Sequence, residues 1–214
     1  MLDHVEPGAR AAPEITQPWD PVVRLTHWSI AAAVIANGLL TKPGGTIHVW
    51  IGWAAMAVLA LRLVWGLIGP VEARFASFLP DPRAAVSHLA DLLRGRPREH
   101  SSHNPAGAIM AYALWACLAV VISTGLVMTG GKSPITIAEE KAAVAAGDWS
   151  VLVTENAGEL HGDKEGLCDV AEEVHKVTAN LMLLLALLHV AGVAVESRAL
   201  GRNLVRGMLT GRRR

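Results

Sequence analysis

Four stretches of mainly apolar residues, 22–41, 48–69, 106–130 and 174–195, decide what this chain can fold into. About 20 helical residues cross the roughly 30 Å hydrocarbon layer of a membrane, where each backbone N–H and C=O must be bonded within its own element. The expected fold is therefore all-α, an integral membrane four-helix bundle. Composition agrees, at 52% hydrophobic and 18% charged residues, against about 25% charged in ordinary soluble domains. The 19 basic and 19 acidic residues balance, so no net field selects nucleic acid as a partner. The two cysteines, Cys117 and Cys168, form no Cys-x-x-Cys-His string and no disulfide framework, which excludes covalent haem attachment and a thiolate zinc site. A buried bundle inside a large soluble protein would not explain both the length of the runs and the charges that flank them.

The ends of the runs set an expected orientation. The first 20 residues hold Asp3, His4, Glu6, Arg10, Glu14 and Asp20 and no apolar core of a cleaved signal, so the first span is expected to serve as the insertion signal. Arg74, Arg83, Arg94, Arg96 and Arg98 follow the second span, and Arg198, Arg202, Arg206 and Arg212 to Arg214 follow the fourth. Basic residues collect on the cytoplasmic side. Between spans three and four, residues 131–173 are strongly acidic, with three lysines among carboxylates such as Glu139, Glu140, Asp163 and Glu172. This segment is expected to be periplasmic, with both termini cytoplasmic. The organisation is a tail over 1–21, a helical domain over 22–200 and a basic tail over 201–214. Short helices are expected around Ala84–Leu93 and Ile137–Ala146, and Trp28, Trp50, Trp53 and Trp65 fall near span ends, as in an aromatic belt.

Four of the nine histidines lie in or at the edge of the spans: His27, His48, His175 and His189. A histidine in lipid needs a partner. His175 and His189 are 14 residues apart on one helix, close to four turns, so they share a face about 21 Å apart along the axis. Antiparallel topology puts His48 level with His175 near the outer surface and His27 level with His189 near the inner one. Each depth thus receives two imidazoles from different helices, the arrangement a six-coordinate b-type haem requires. Zinc would want four ligands, and a proton relay would bring carboxylates into the spans; neither set is present. Arg62, 14 residues after His48, has two readings: snorkelling to the cytoplasmic interface, or a salt bridge to a haem propionate. Gly38, Gly52 and Gly125 would let a flat macrocycle approach the backbone.

These residues resemble the bacterial cytochrome b561 family, which includes the cytochrome b subunits of nickel-iron hydrogenases. The matching strings are Arg24-Leu-Thr-His27-Trp28, His48-Val-Trp-Ile-Gly52, Leu61-Arg62-Leu-Val-Trp65-Gly66, His103-Asn104-Pro105-Ala-Gly107 and Glu173-Val-His175 followed by His189. They run over roughly residues 19–200. Ser102 stands where the family usually has glycine. The resemblance implies two non-covalent b haems with His27 paired to His189 and His48 to His175, and it suggests His103 as a quinone or propionate contact, although Asn104-Pro105 alone reads as a helix start.

Two haems at two depths make an electron conduit, and no nucleophile with its base, phosphate loop or dinucleotide fingerprint appears beside them. The family implies membrane quinone at one end, with ubiquinone a candidate ligand, and a periplasmic c-type cytochrome or oxidoreductase subunit at the other. Whether the chain is itself an enzyme stays open. One alternative is a self-contained oxidoreductase passing electrons from periplasmic superoxide to ubiquinone; another is a non-redox membrane scaffold or transporter. A homodimer is compatible with either.

Overall fold

Four helices of the chain open on the same local device, a capping side chain followed by proline. Proline presets φ for a first turn whose N–H has no helical partner, and the cap accepts from one of the free N–H groups that follow. Asp20 accepts from Val23 N at 2.9 Å and opens α1, Pro21–Ile35. Asp81 opens α3, Pro82–Leu93; Asn104 opens α4, Pro105–Met128; Ser133 opens α5, Pro134–Ala145. The remaining helices are α2, Thr46–Ile68; α6, Ser150–Val153; α7, His161–Ala199; and α8, Leu204–Thr210. The computed structural model describes residues 20–96, 104–153 and 161–211, and among these there is no strand.

Four of the helical segments are long and apolar enough to cross a membrane: Pro21–Leu40, Thr46–Ile68, Pro105–Met128 and Gly166–Ala199. In the bundle α1 packs on α2 and α4 on α7, with α2 also reaching α4. Little of each span is covered by its neighbours, between 6% and 22%, and large side chains such as Leu39, Leu67 and Leu187 face outward. That outward apolar surface suits lipid as the solvent. The interior is a cluster of Leu59, Cys117, Leu118 and Met182, flanked by Ile30, Val34, Trp115 and Leu185.

Three features depart from the sequence reading. The last turn of the first span is a π-helix, Ala36–Leu40, closed by Thr41 N donating to Ala36 O at 2.9 Å. The helix that carries the fourth apolar run begins well before Val174, because α7 runs unbroken for 39 residues. Its early acidic residues are spread from Asp163 to Glu173, and Lys176 pairs with Glu172 at 2.5 Å across one turn. Charge interrupted the apolar run without interrupting the helix. Finally, the basic tail is partly ordered: α8 is capped by Asn203, ends at Gly211 in the left-handed region (φ 77°) and folds back on α1.

The two short helices are present. The α3 helix starts two residues before Ala84, fixed by its Asp81 cap, and lies against α4. The α5 helix covers the N-terminal end of α2, with Lys141 Nζ donating to Gly44 O at 3.5 Å.

Candidate functional site

The four histidines meet in two pairs. The ring centres of His27 and His189 are 6.2 Å apart with planes inclined by 59°. Those of His48 and His175 are also 6.2 Å apart, at 55°. All four are half-buried in the bundle. The Leu59, Leu118 and Met182 cluster separates the layers, Met182 being seven residues from both His175 and His189. Among the described residues no group of three or more His, Cys, Asp or Glu side chains gathers as a metal site; each pair consists of two imidazoles.

The layer of His48 and His175 is called outer and that of His27 and His189 inner, after the orientation expected from the charges. In the outer layer both rings are tied through Nδ1. His48 Nδ1 lies 3.3 Å from Thr41 Oγ1, Thr41 Oγ1 donates to Asn37 Oδ1 at 3.1 Å, and Asn37 Nδ2 donates to His48 O at 3.0 Å. The π-turn places Asn37 and Thr41 for this loop of bonds. On the opposite wall His175 Nδ1 lies 3.0 Å from Thr124 Oγ1, and that hydroxyl sits 2.8 Å from Val120 O and 3.0 Å from Val121 O. Gly125 is next to it: a Cβ there would stand 3.6 Å from His175 Cε1. Gly52, one turn past His48, has nothing within 4 Å of its Cβ position, so open space adjoins the ring. Gly38 instead serves a helix contact, its Cβ position already approached by Leu183 Cδ2 at 2.8 Å.

The inner layer has different walls. His27 stacks edge-on against Trp28 at 5.3 Å, and the residues flanking it hold the tail. Arg24 Nε donates to Met208 O at 3.0 Å, Arg24 Nη2 donates to Leu209 O, and Trp28 Nε1 donates to Met208 O at 3.3 Å. A cation at a helix C-terminus meets its free carbonyls and the negative end of its dipole. Across this face Asp20 joins two helices, capping α1 and accepting from Trp65 Nε1 of α2 at 3.0 Å.

Arg62 does not snorkel. It is 3% exposed, covered by the 3₁₀ turns Val71–Ala73 and Phe75–Ser77. Its Nη2 donates to Ala73 O at 3.2 Å, its guanidinium carbon lies 5.3 Å from the Phe75 ring centre and 5.0 Å from that of Trp115, and its Nη1 has no hydrogen-bond partner among the described residues. Phe75 and Trp115 thus flank a buried cation, and Phe78 and Tyr112 pack against those two rings to complete an aromatic box. Asn104 caps α4 through Gly107 N at 2.6 Å and donates to Glu196 of α7, while His103 lies outside the described residues. Cys117 is buried and Cys168 exposed, and both are free.

Sequence reasoning missed Asn37, Thr41, Thr124 and the aromatic box. A lone amide inside an apolar span was the available signal for Asn37, since it needs a partner there. Threonines in membrane helices ordinarily bond back to their own helix, which hides those that do more.

An apolar-surfaced helical bundle with four candidate spans and two facing imidazole pairs at two depths has the form of a polytopic membrane protein. The sequence matches the family model for prokaryotic cytochrome b561 over residues 18–211, and the chain belongs to that family of membrane b-type cytochromes. No curated protein and no solved structure matches it.

Proposed function

We propose that the chain is a di-haem b-type cytochrome of the bacterial cytoplasmic membrane, carrying electrons between the quinone pool and a periplasmic c-type cytochrome or oxidoreductase subunit. The observation that carries this reading is the matched pairing of the histidines. Two imidazoles ligating one metal, each with a bond of about 2 Å and a nitrogen about 1.1 Å from its ring centre, have centres about 6 Å apart. Both pairs stand at 6.2 Å. His27 with His189, and His48 with His175, would therefore hold the two irons. Haem b, when bound, supplies a one-electron Fe(III)/Fe(II) couple at each depth.

The other residues have supporting roles. Leu59, Leu118 and Met182 keep water out of the layer between the sites, which preserves a low dielectric along the path. Gly52 and Gly125 leave the backbone bare on both walls of the outer site. Arg62 offers its unpaired Nη1 to an oxygen, either a haem propionate or a quinone carbonyl at the inner site; a buried donor left without an acceptor costs about 1–3 kcal/mol. The arginine-rich 72–98 and 198–214 segments favour a cytoplasmic location for both termini, and the acidic 131–173 segment suits a cationic partner on the periplasmic side.

The test is a reduced-minus-oxidised visible spectrum of detergent-purified protein, with pyridine haemochromogen quantification. Two low-spin b haems per chain are expected. A colourless preparation from haem-replete cells would sink the reading and leave a membrane scaffold or transporter.

A further inference from the structure

We infer that Thr41, Asn37 and Thr124 are positioning residues that lock both outer histidines in one tautomer and thereby set the potential of the outer site; this rests on the di-haem reading above. A hydroxyl has one proton to give. Thr41 gives its proton to Asn37 Oδ1, and Asn37 is held in turn by its Nδ2–H on His48 O. The orientation of that amide is fixed, because only Nδ2 can donate to a carbonyl. Thr41 Oγ1 therefore meets His48 as an acceptor, and the 3.3 Å contact requires the proton on Nδ1. The same count holds opposite. Thr124 spends its proton on Val120 O or Val121 O, so His175 Nδ1, at 3.0 Å, is the donor, with the Val121 carbonyl a second acceptor for this ring.

Both rings then present an unprotonated Nε2, the lone pair a metal needs. The two locks reach that state by different routes. Thr124 uses the ordinary back-bond of a helical threonine, whereas Thr41 depends on the π-turn Ala36–Leu40, which brings Asn37 and Thr41 to the start of α2. A π-turn of this kind frequently marks a functional position.

An acceptor on Nδ1–H makes the imidazole more basic, and a more basic ligand favours the oxidised metal. Removing either acceptor should raise the midpoint potential of the outer haem and leave the inner one unchanged. Redox titration of the purified holoprotein decides this. Thr41→Val and Thr124→Val are expected to shift the same single haem upward, Thr124→Val by less because the Val121 carbonyl remains for His175, and Thr41→Ser and Thr124→Ser to return it to the wild-type value. Unchanged potentials at full haem content, shifts in two different haems, or failure of serine to restore would each overturn the inference. If a valine variant loses one haem instead, recovery of that haem by the serine variant supports the lock and its absence overturns it. Should the wild-type protein bind no haem, the di-haem reading fails by itself. The lock is then read from histidine ring ¹⁵N shifts of the haem-free protein, where protonated Nε2 at His48 and His175 would refute it.

Discussion

His27 faces His189 and His48 faces His175 at the same 6.2 Å ring separation and nearly the same tilt, yet the two pairs share almost nothing else. The outer rings are tied by hydroxyls and flanked by bare glycine backbone. The inner pair lies between Trp28, a tail helix gripped by Arg24, and a level of the bundle where Arg62 is buried among aromatic rings. The spacing is a property of the helix frame, because 14 residues on α7 bring two side chains to one face. The walls are a property of local chemistry. A frame can thus repeat a ring spacing while the walls of the two layers differ, and under the proposed function that difference would let each site be tuned separately.

The largest expected effect tests the pairing itself. His27→Ala and His189→Ala should remove one and the same haem, and His48→Ala and His175→Ala the other, with haem per chain falling by half in each case by pyridine haemochromogen. Loss of both haems from any single variant, or different residual spectra within one pair, would break the comparison at its root.

Next comes the bare backbone of the outer layer. Gly52→Leu fills space that holds no protein atom within 4 Å of the Cβ position, so the helices should form as before while the outer haem is lost and the inner one kept. Gly66→Ala is the matching control on the inner side. Its Cβ would collide with the Phe75 ring that roofs Arg62, so it should destabilise the fold, by about 1–3 kcal/mol as for other overpacked sites. Thermal unfolding followed by circular dichroism separates the two outcomes.

How far this was legible in the chain depends on the kind of signal. The four spans and the histidine pairs rest on helix periodicity and counting, which survive any choice of side-chain rotamer. His175 and His189 could be matched to His48 and His27 from topology alone. The threonine locks could not, since each depends on a single rotamer and, for Thr41, on an extra residue in a turn. Arg62 was visible as an oddity, but the 3₁₀ turns that cover it are held by contacts distant in sequence, such as Tyr112 with Phe75 O at 3.5 Å. The length of α7 was hidden by its charges, because the search for a span stops where hydropathy falls while a helix does not.

Arg62 gives a smaller, opposite shift to that expected of the threonines. Replacing it by Met keeps most of the volume and the aromatic contacts and removes a buried positive charge. A nearby cation favours the reduced, less positive centre, so Arg62→Met should lower the midpoint potential of the inner haem and leave the outer unchanged. Redox titration checks the sign. An unaltered inner potential with full haem content would mean that the guanidinium serves the 71–78 turns alone.

The smallest effect concerns the tail. Trp28→Phe keeps the ring beside His27 but deletes the N–H that reaches Met208 O at 3.3 Å; one such bond contributes about 0.5–1.5 kcal/mol net. The two Arg24 bonds to Met208 O and Leu209 O remain, so α8 should stay docked most of the time and open more often. Limited proteolysis within 200–211 should accelerate several-fold in this variant, with both haems retained. Arg24→Gln removes the charge that the α8 C-terminus attracts and should accelerate it further. If cleavage is faster in both variants while the inner potential stays constant, α8 is a cover independent of the inner ligand pair. If that potential moves with the cleavage rate, the tail belongs to the wall of the inner site, and the contrast between the layers extends to the end of the chain.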